Sequence, residues 1–322
     1  MTLFTKILNK LEASPPATFL VNKSKHIFLP GFRGIPLYDV VKFFFGQVKT
    51  IGMTERASAI AFNLVMAIPP AMIFLFTLIP FFPISQEFEN QLYGVIRDVI
   101  PGEKDNSILI GFLQSFINTP RSGLLSLGFI LSIYFSSSAM MGIMRSFDKN
   151  YLGFKKRTNF QRRIVAMKLT SMLFFLVIVS ILLLVAQGSV LKLIGIRSQW
   201  LTTLIINARW VVIVFLFFAS VSYIYRHAPS IHKKWKLINP GSILATFLMI
   251  LTSVGFSYWV AHFGNYNKLY GSIGTVLILM ILIYFNSLIL LIGFELNVSI
   301  SSLKRIADER NNNPADGNVK SP

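Results

Sequence analysis

The chain has 322 residues and a net charge of +18, yet only 14% of its residues are charged and 53% are hydrophobic. Water-soluble domains usually carry about a quarter charged residues, and here the apolar residues fall in long uninterrupted runs of the kind that lipid solvates. The absence of cysteine excludes disulfides, thiolate nucleophiles and cysteine metal sites.

Taken in order, the first residues, MTLFTKILNKLEASPP, lack the continuous apolar stretch of a cleavable signal peptide, so membrane insertion is expected to rest on an internal segment. Residues 1–56 form a basic arm with eight Lys or Arg. Within it, Leu37 to Val48 places Val40, Val41, Phe44, Phe45 and Val48 on one helical stripe. That pattern predicts an amphipathic helix, either lying in the membrane interface or packed on the end of a helical bundle.

The first spanning run is expected near 57–80. Its early turns are rich in small residues, Ala57, Ser58, Ala59 and Ala61, which favour close helix contact. Pro69 and Pro70 sit in its middle, where proline removes a backbone hydrogen bond and kinks a helix. The connection 81–121 holds five acids, Glu87, Glu89, Asp98, Glu103 and Asp105. Apolar residues recur in it at helical spacing on either side of Pro101-Gly102, which predicts two short amphipathic helices. The second span is expected near 122–144, with Ser138 and Gly142 as a small-residue contact face. A basic loop follows, and the third span is placed near 169–189. The fourth, near 205–225, is less clean because Arg209 interrupts it. The fifth, near 240–260, starts at Pro240-Gly241, a helix-start signal. The sixth, 272–294, belongs to the most telling stretch of the chain. Between Lys268 and Glu295 there is no charged residue, and Ser272 to Phe294 is 23 residues long. As a helix it would span about 30 Å, the thickness of a bilayer's hydrocarbon core. Residues 298–322 read as a tail that is disordered at its end.

These segments predict an all-α, polytopic integral membrane protein with six transmembrane helices. Sorting the basic residues by side leaves 24 of the 31 Lys and Arg with the two termini and the second and fourth loops. The positive-inside rule then places both termini in the cytoplasm. The same asymmetry accounts for the net charge through anionic lipid of the inner leaflet, with no nucleic acid as partner.

Several residues carry a resemblance. The block from Pro240-Gly241 to Asn297, with FGNYNKLYGSIG (Phe263 to Gly274) and GFELN (Gly293 to Asn297), resembles the YihY/BrkB family of bacterial inner-membrane proteins, once labelled ribonuclease BN-like. ERASAIAFNLVMAIPP (Glu55 to Pro70) and MMGIMRSFDKNYLG (Met140 to Gly153) are similar to that family's first span and second-span exit. Asp148 stands where Asn is expected in many relatives, and Asn63 where an aromatic is common. The resemblance implies six membrane helices and an inner-membrane location, but no settled activity.

The residues themselves do not suggest an enzyme. Metal-assisted phosphodiester cleavage needs clustered carboxylates or histidines. The four histidines, His26, His227, His232 and His262, form no ligand spacing, and no HExxH or Gly-rich phosphate loop occurs. No catalytic, metal or cofactor site is expected, and membrane-bound ribonuclease is the least favoured reading. The candidate residues are polar or special groups at depth. Asn63 and Asn286 either form interhelical hydrogen bonds or line a polar path. Arg145 and Asp148, three apart, suggest a local ion pair. Glu295 near a helix C-terminus opposes the helix dipole and calls for a basic partner, Arg56 or Arg145. Tyr270, Gly271 and Gly274 at the start of the sixth helix offer tight packing, a hinge, or an open helix end facing an anion. The functional expectation is a transport or envelope-lipid-handling role, with a non-transporting membrane scaffold as the alternative.

Overall fold

The computed structural model describes residues 22–32, 34–50, 52–78, 110–111, 114, 122–148, 157–193, 199–231, 234–262 and 266–312. The expected helices of the acidic connection 81–121 lie outside the described residues, as do the residues beyond 312. A short helix, α1 (Leu37–Thr50), precedes six long ones. These are α2 (Met53–Leu78), α3 (Ser122–Phe147), α4 (Asn159–Leu193), α5 (Gln199–His227), α6 (Pro240–His262) and α7 (Tyr266–Asn312). Among the described residues there is no strand. Five helices, α2, α3, α4, α6 and α7, are long and apolar enough to cross a membrane. The helix over the expected fourth span, α5, has 29 residues and carries Arg209 within it.

Each long helix packs on its neighbours in the chain, and α2 packs on α7, so the six close into a ring. Pairings run antiparallel from one end. Asn63 of α2 faces Gly142 of α3, and Phe74, further along α2, faces Gly128. The end of the ring that carries Arg56, Phe147 and Asn239 is here called the base.

Packing is concentrated at that base. Between 287 and 300 on α7, nearly every side chain is buried. So are Ser242, Ala245, Thr246 and Met249 of α6, and Val221, Ser222, Ile224 and Tyr225 of α5. Further along the same helices the pattern reverses. No described residue of 171–180, 211–220, 250–260 or 276–286 is buried. These distal turns are apolar and exposed, with Phe215, Leu251, Val254, Tyr258 and Val276 prominent. Phe74 provides a local exception, its ring lying against Phe129 of α3 and Phe174 of α4 at 5.2 and 5.8 Å between centroids.

Several elements differ from expectation. α4 begins at Asn159, ten residues before the expected span, because Thr158 and Gln161 cap it reciprocally. The Thr158 N–H donates to Gln161 Oε1 at 3.2 Å and the Gln161 N–H to Thr158 Oγ1 at 3.3 Å, a capping box. α7 continues through Asn312, into the stretch 298–322 that was expected to be a tail. Its extension is held by the apolar stripe Leu296, Ile300 and Leu303 packing with Phe32, Ile35, Leu37 and Val40, and by an Arg305–Glu309 pair one turn apart at 2.7 Å. α1 packs on the end of the bundle through part of its apolar stripe. Val40 is buried against α7 and Val48 lies on the main core, while Val41 and Phe45 remain exposed.

Tyr270, Gly271 and Gly274 do not open the last helix. It starts at Tyr266, so their N–H groups fall within its hydrogen-bonded turns and offer no open helix end. Gly274 is buried; the side-chain surroundings of Tyr270 lie outside the described residues. Pro69 and Pro70 are likewise inside a continuous α2, where they leave the carbonyls of Val65 and Met66 without their usual donors.

Candidate functional site

Lipid offers helices no hydrophobic reason to associate, so close backbone approach and interhelical hydrogen bonds must do so. The base supplies both. Gly293 of α7 and Gly241 of α6 meet backbone to backbone, so that a Cβ on either would overlap the other's carbonyl oxygen. A Cβ on Gly293 would also meet the Tyr225 hydroxyl. That hydroxyl donates to the Leu290 carbonyl at 2.7 Å, bringing α5 onto the same point of α7.

One turn below, Asn297 satisfies the start of α6. Its Oδ1 accepts the Gly241 N–H at 2.9 Å and its Nδ2 donates to Asn239 Oδ1 at 2.6 Å. Asn239 is the N-cap, accepting the Ser242 N–H at 2.8 Å, and Pro240 occupies the first helical position, which needs no donor. The orphan N–H groups of a buried helix start are thereby met by two asparagines on two helices.

Glu295 is completely buried, and its partner is Arg56, itself 8% exposed. Arg56 Nη1 donates to Glu295 Oε1 at 2.8 Å. Arg56 Nη2 donates to the carbonyl of Ser146, in the last turn of α3. One guanidinium thus neutralises the anion on α7 and caps the carbonyl end of α3. A second arginine caps another end. Arg157 donates to the carbonyls of Ala228, Pro229 and His227 at 2.8, 3.2 and 3.4 Å, where α5 terminates.

Aromatic rings from alternate helices fill the ring's centre at this level. Phe147 of α3 stacks on Phe294 of α7 at 4.0 Å between centroids and 4° between planes. Tyr225 of α5 lies 6.0 Å from Phe147, and Trp235 5.6 Å from Phe294. Phe147, Tyr225 and Phe294 have no exposed surface. Together they make an aromatic plug across the base. Below it, a cavity of about 110 Å³ opens outward between Gly31, Trp235, Asn239, Asn297 and Ser301.

Asp148 does not pair with Arg145. α3 ends at Phe147, so Asp148 leaves the helical face that the spacing assumed. It pairs instead with Arg162 at 3.5 Å and accepts the Ser230 N–H at 3.3 Å, while Arg145 is exposed. Burial raises the Asp148 pKa above its ordinary value, against the lowering pull of Arg157 and Arg162. Burial likewise lowers the His227 pKa.

Asn63 and Asn286 bond within their own helices. Asn63 Nδ2 donates to the Ala59 carbonyl at 2.7 Å and Asn286 Nδ2 to the Leu282 carbonyl at 3.0 Å. Asn286 Oδ1 is buried without a hydrogen-bond partner. Asn63 lies seven residues above Arg56 and Asn286 nine above Glu295, which at 1.5 Å per residue puts both asparagines roughly 10–14 Å above the ion pair. Among the described residues neither makes an interhelical hydrogen bond, the first of the two alternatives expected of them.

Of the residues singled out by sequence, Glu295 sits at the centre of this site with Arg56, Asp148 lies at its rim and Arg145 is exposed beside it. Asn63 and Asn286 stand above it, and Pro69, Pro70, Gly271 and Gly274 belong to the distal turns. Sequence reasoning missed Tyr225, Asn239, Gly241, Arg157, Phe147, Gly293, Phe294 and Asn297 as parts of one assembly. The signal available was the GFELN segment itself, four of whose five residues turn inward. Among the described residues no group of His, Asp or Glu could hold a metal ion.

The fold and this site define a multi-pass bacterial membrane protein built of helices around a polar and aromatic base. A family model described as Virulence factor BrkB matches residues 44–318, and the chain belongs to that family. A ribonuclease-like protein named YfkH from Bacillus subtilis (strain 168) is 28% identical over 259 residues, covering 79% of this chain and 92% of the relative. The UPF0761 membrane protein Smlt0865 of Stenotrophomonas maltophilia (strain K279a) is 25% identical over 252 residues, and the match spans 58% of that longer relative. A UPF0761 membrane protein of Tolumonas auensis is 33% identical over 81 residues, 25% of this chain. No solved structure matches.

Proposed function

We propose that the chain moves or handles a lipid-class amphiphile across the membrane, from a ring of six spans whose termini lie in the cytoplasm and whose base faces that side. The observation that carries the reading is the change of packing along each helix. The ring is sealed at its base by the plug, while its distal turns present aliphatic and aromatic surface to whatever lies against them. A path that binds ions through ionised side chains would need charged groups in those turns. The described residues of 211–220, 250–260 and 276–286 hold none that is charged. The chain is read here as a non-enzyme that does not act on nucleic acid, with its basic side held against anionic inner-leaflet lipid. A non-transporting scaffold is the second reading, and the bonding of the Asn63 and Asn286 amide N–H groups within their own helices favours it.

Reconstitution into liposomes, with fluorescent-phospholipid movement and ion flux measured in parallel, tests this proposal. Lipid movement without ion flux is the expected result. Absence of both, together with Asn63→Leu and Asn286→Leu variants that retain biological function, would favour the scaffold.

A further inference from the structure

Arg163 is a cation placed at depth without an anion of its own. It lies in the second turn of α4, within a span-length apolar window. Its Nη1 donates to Ser138 Oγ at 2.9 Å and to Met141 Sδ at 3.4 Å, its Nη2 donates weakly to the Tyr134 carbonyl at 3.5 Å, and its Cζ sits 4.6 Å from the centre of the Tyr134 ring. Ser138 is nine residues before Phe147, so it lies about 13 Å above the basal end of α3. Among the described residues no carboxylate pairs with Arg163, since Asp148 takes Arg162. These neutral partners leave its positive charge without a counter-charge, which is costly in that setting, and a cation–π contact offsets only part of that cost.

The surroundings of Arg163 are those of an amphiphile's headgroup and tails. Tyr134 is 57% exposed and Phe160 74% exposed. Ile164, Met167 and Phe175 continue an exposed apolar stripe up α4, and Leu127, Ile130 and Leu131 do so on α3. The seam between the two helices therefore presents a guanidinium and a phenol at its foot and hydrocarbon surface above them. Guanidinium groups suit phosphate through paired N–H donors.

We propose that the α3–α4 seam is a specific binding site for an anionic phospholipid of the basal leaflet, with Arg163 holding the phosphate and Tyr134 beside it. This site is outside the ring and independent of any movement of lipid through it.

Thermal unfolding of the full chain in nanodiscs of phosphatidylcholine, with and without phosphatidylglycerol, tests the site. Phosphatidylglycerol should raise the Tm of the wild type, and Arg163→Gln should remove at least half of that rise, whereas Arg305→Gln in the exposed extension should leave it intact. Arg163→Lys keeps the charge and should retain part of the rise. An equal rise in wild type and Arg163→Gln would overturn the proposal. So would a Tm lowered by the same amount in both lipids, which would mark Arg163 as a tie between α3 and α4 only. An equal rise produced by inorganic phosphate would also overturn it. Native mass spectrometry of the two proteins gives a second reading, with retained phosphatidylglycerol expected to fall several-fold in Arg163→Gln.

Discussion

The two halves of α6 have the same composition class and opposite roles. From Asn239 to Met249 the helix is locked into its neighbours, through Gly241 on Gly293, Ala245 in the core and Thr246 and Met249 buried. From 250 to 260 none of its residues is buried. α5 and α7 divide at the same level. Hydropathy therefore marks where this chain meets lipid, but says nothing of where its helices meet each other. In a solvent as apolar as leucine, contact is decided by missing Cβ atoms and by polar groups that need partners, and both are gathered at the base.

The largest expected effect separates the packed base from the distal turns on a single residue type. Gly293→Leu should abolish accumulation of folded protein, because the added side chain meets the Gly241 carbonyl and the Tyr225 hydroxyl. Gly255→Leu, on the distal half of α6 where nothing stands within 4 Å, should leave expression and detergent-melting profiles near wild type. Similar losses from both would dissolve the distinction.

Next in size is the ion pair. Removing one member of a buried pair strands the other, at a cost of about 3–5 kcal/mol. Glu295→Gln and Arg56→Gln should each lower the melting temperature strongly. The double variant should cost less than the sum of the singles, and strict additivity would argue against their coupling.

A smaller effect is expected at Tyr225→Phe, which deletes the hydrogen bond to Leu290 while keeping the ring in the plug. Interhelical hydrogen bonds in membranes average about 0.6 kcal/mol, so a Tm shift of a degree or two is predicted. A collapse of folding would mean that the hydroxyl does more than join α5 to α7.

The smallest effect lies at the rim of the base. The folded pKa of Asp148 is raised, with burial as the main cause. The native carboxyl therefore holds its proton at a pH where the unfolded chain has released it, and the wild type should gain stability as pH falls through that raised value towards the ordinary carboxylate value. Asp148→Asn removes this slope and should leave stability at neutral pH unchanged or slightly higher. A wild-type stability that falls on mild acidification, with the variant flat, would reverse the sign of this account.

Much of the architecture was legible from the runs of apolar residues, because a helix that must satisfy its own backbone in lipid needs only length and apolarity to be recognised. Glu295 was legible as an anion in need of a cation, with Arg56 one of two candidates, but the reason differs from the one expected. α7 runs on to Asn312, so Glu295 lies mid-helix and its complete burial, not the helix dipole, demands the partner. What could not be read were partnerships between distant residues. Tyr225 closes a bond to Leu290 from 65 positions away, and in sequence it reads as an ordinary interfacial aromatic. Asn297 looks like one more polar residue past the end of a span until Gly241 is placed against it. The pairing of Arg145 with Asp148 failed for a local reason: an i,i+3 spacing has meaning only while the helix continues, and α3 stops between them.

If the ring moves lipid as proposed, the plug that closes its base has to open. The wild-type sequence contains no cysteine, so a Phe147→Cys/Phe294→Cys double variant gives a clean test in reconstituted liposomes under mild oxidant. A disulfide should form between α3 and α7, stop lipid movement and release it again on reduction. Failure of the bond to form in folded protein, or lipid movement that continues with the bond in place, would contradict the account.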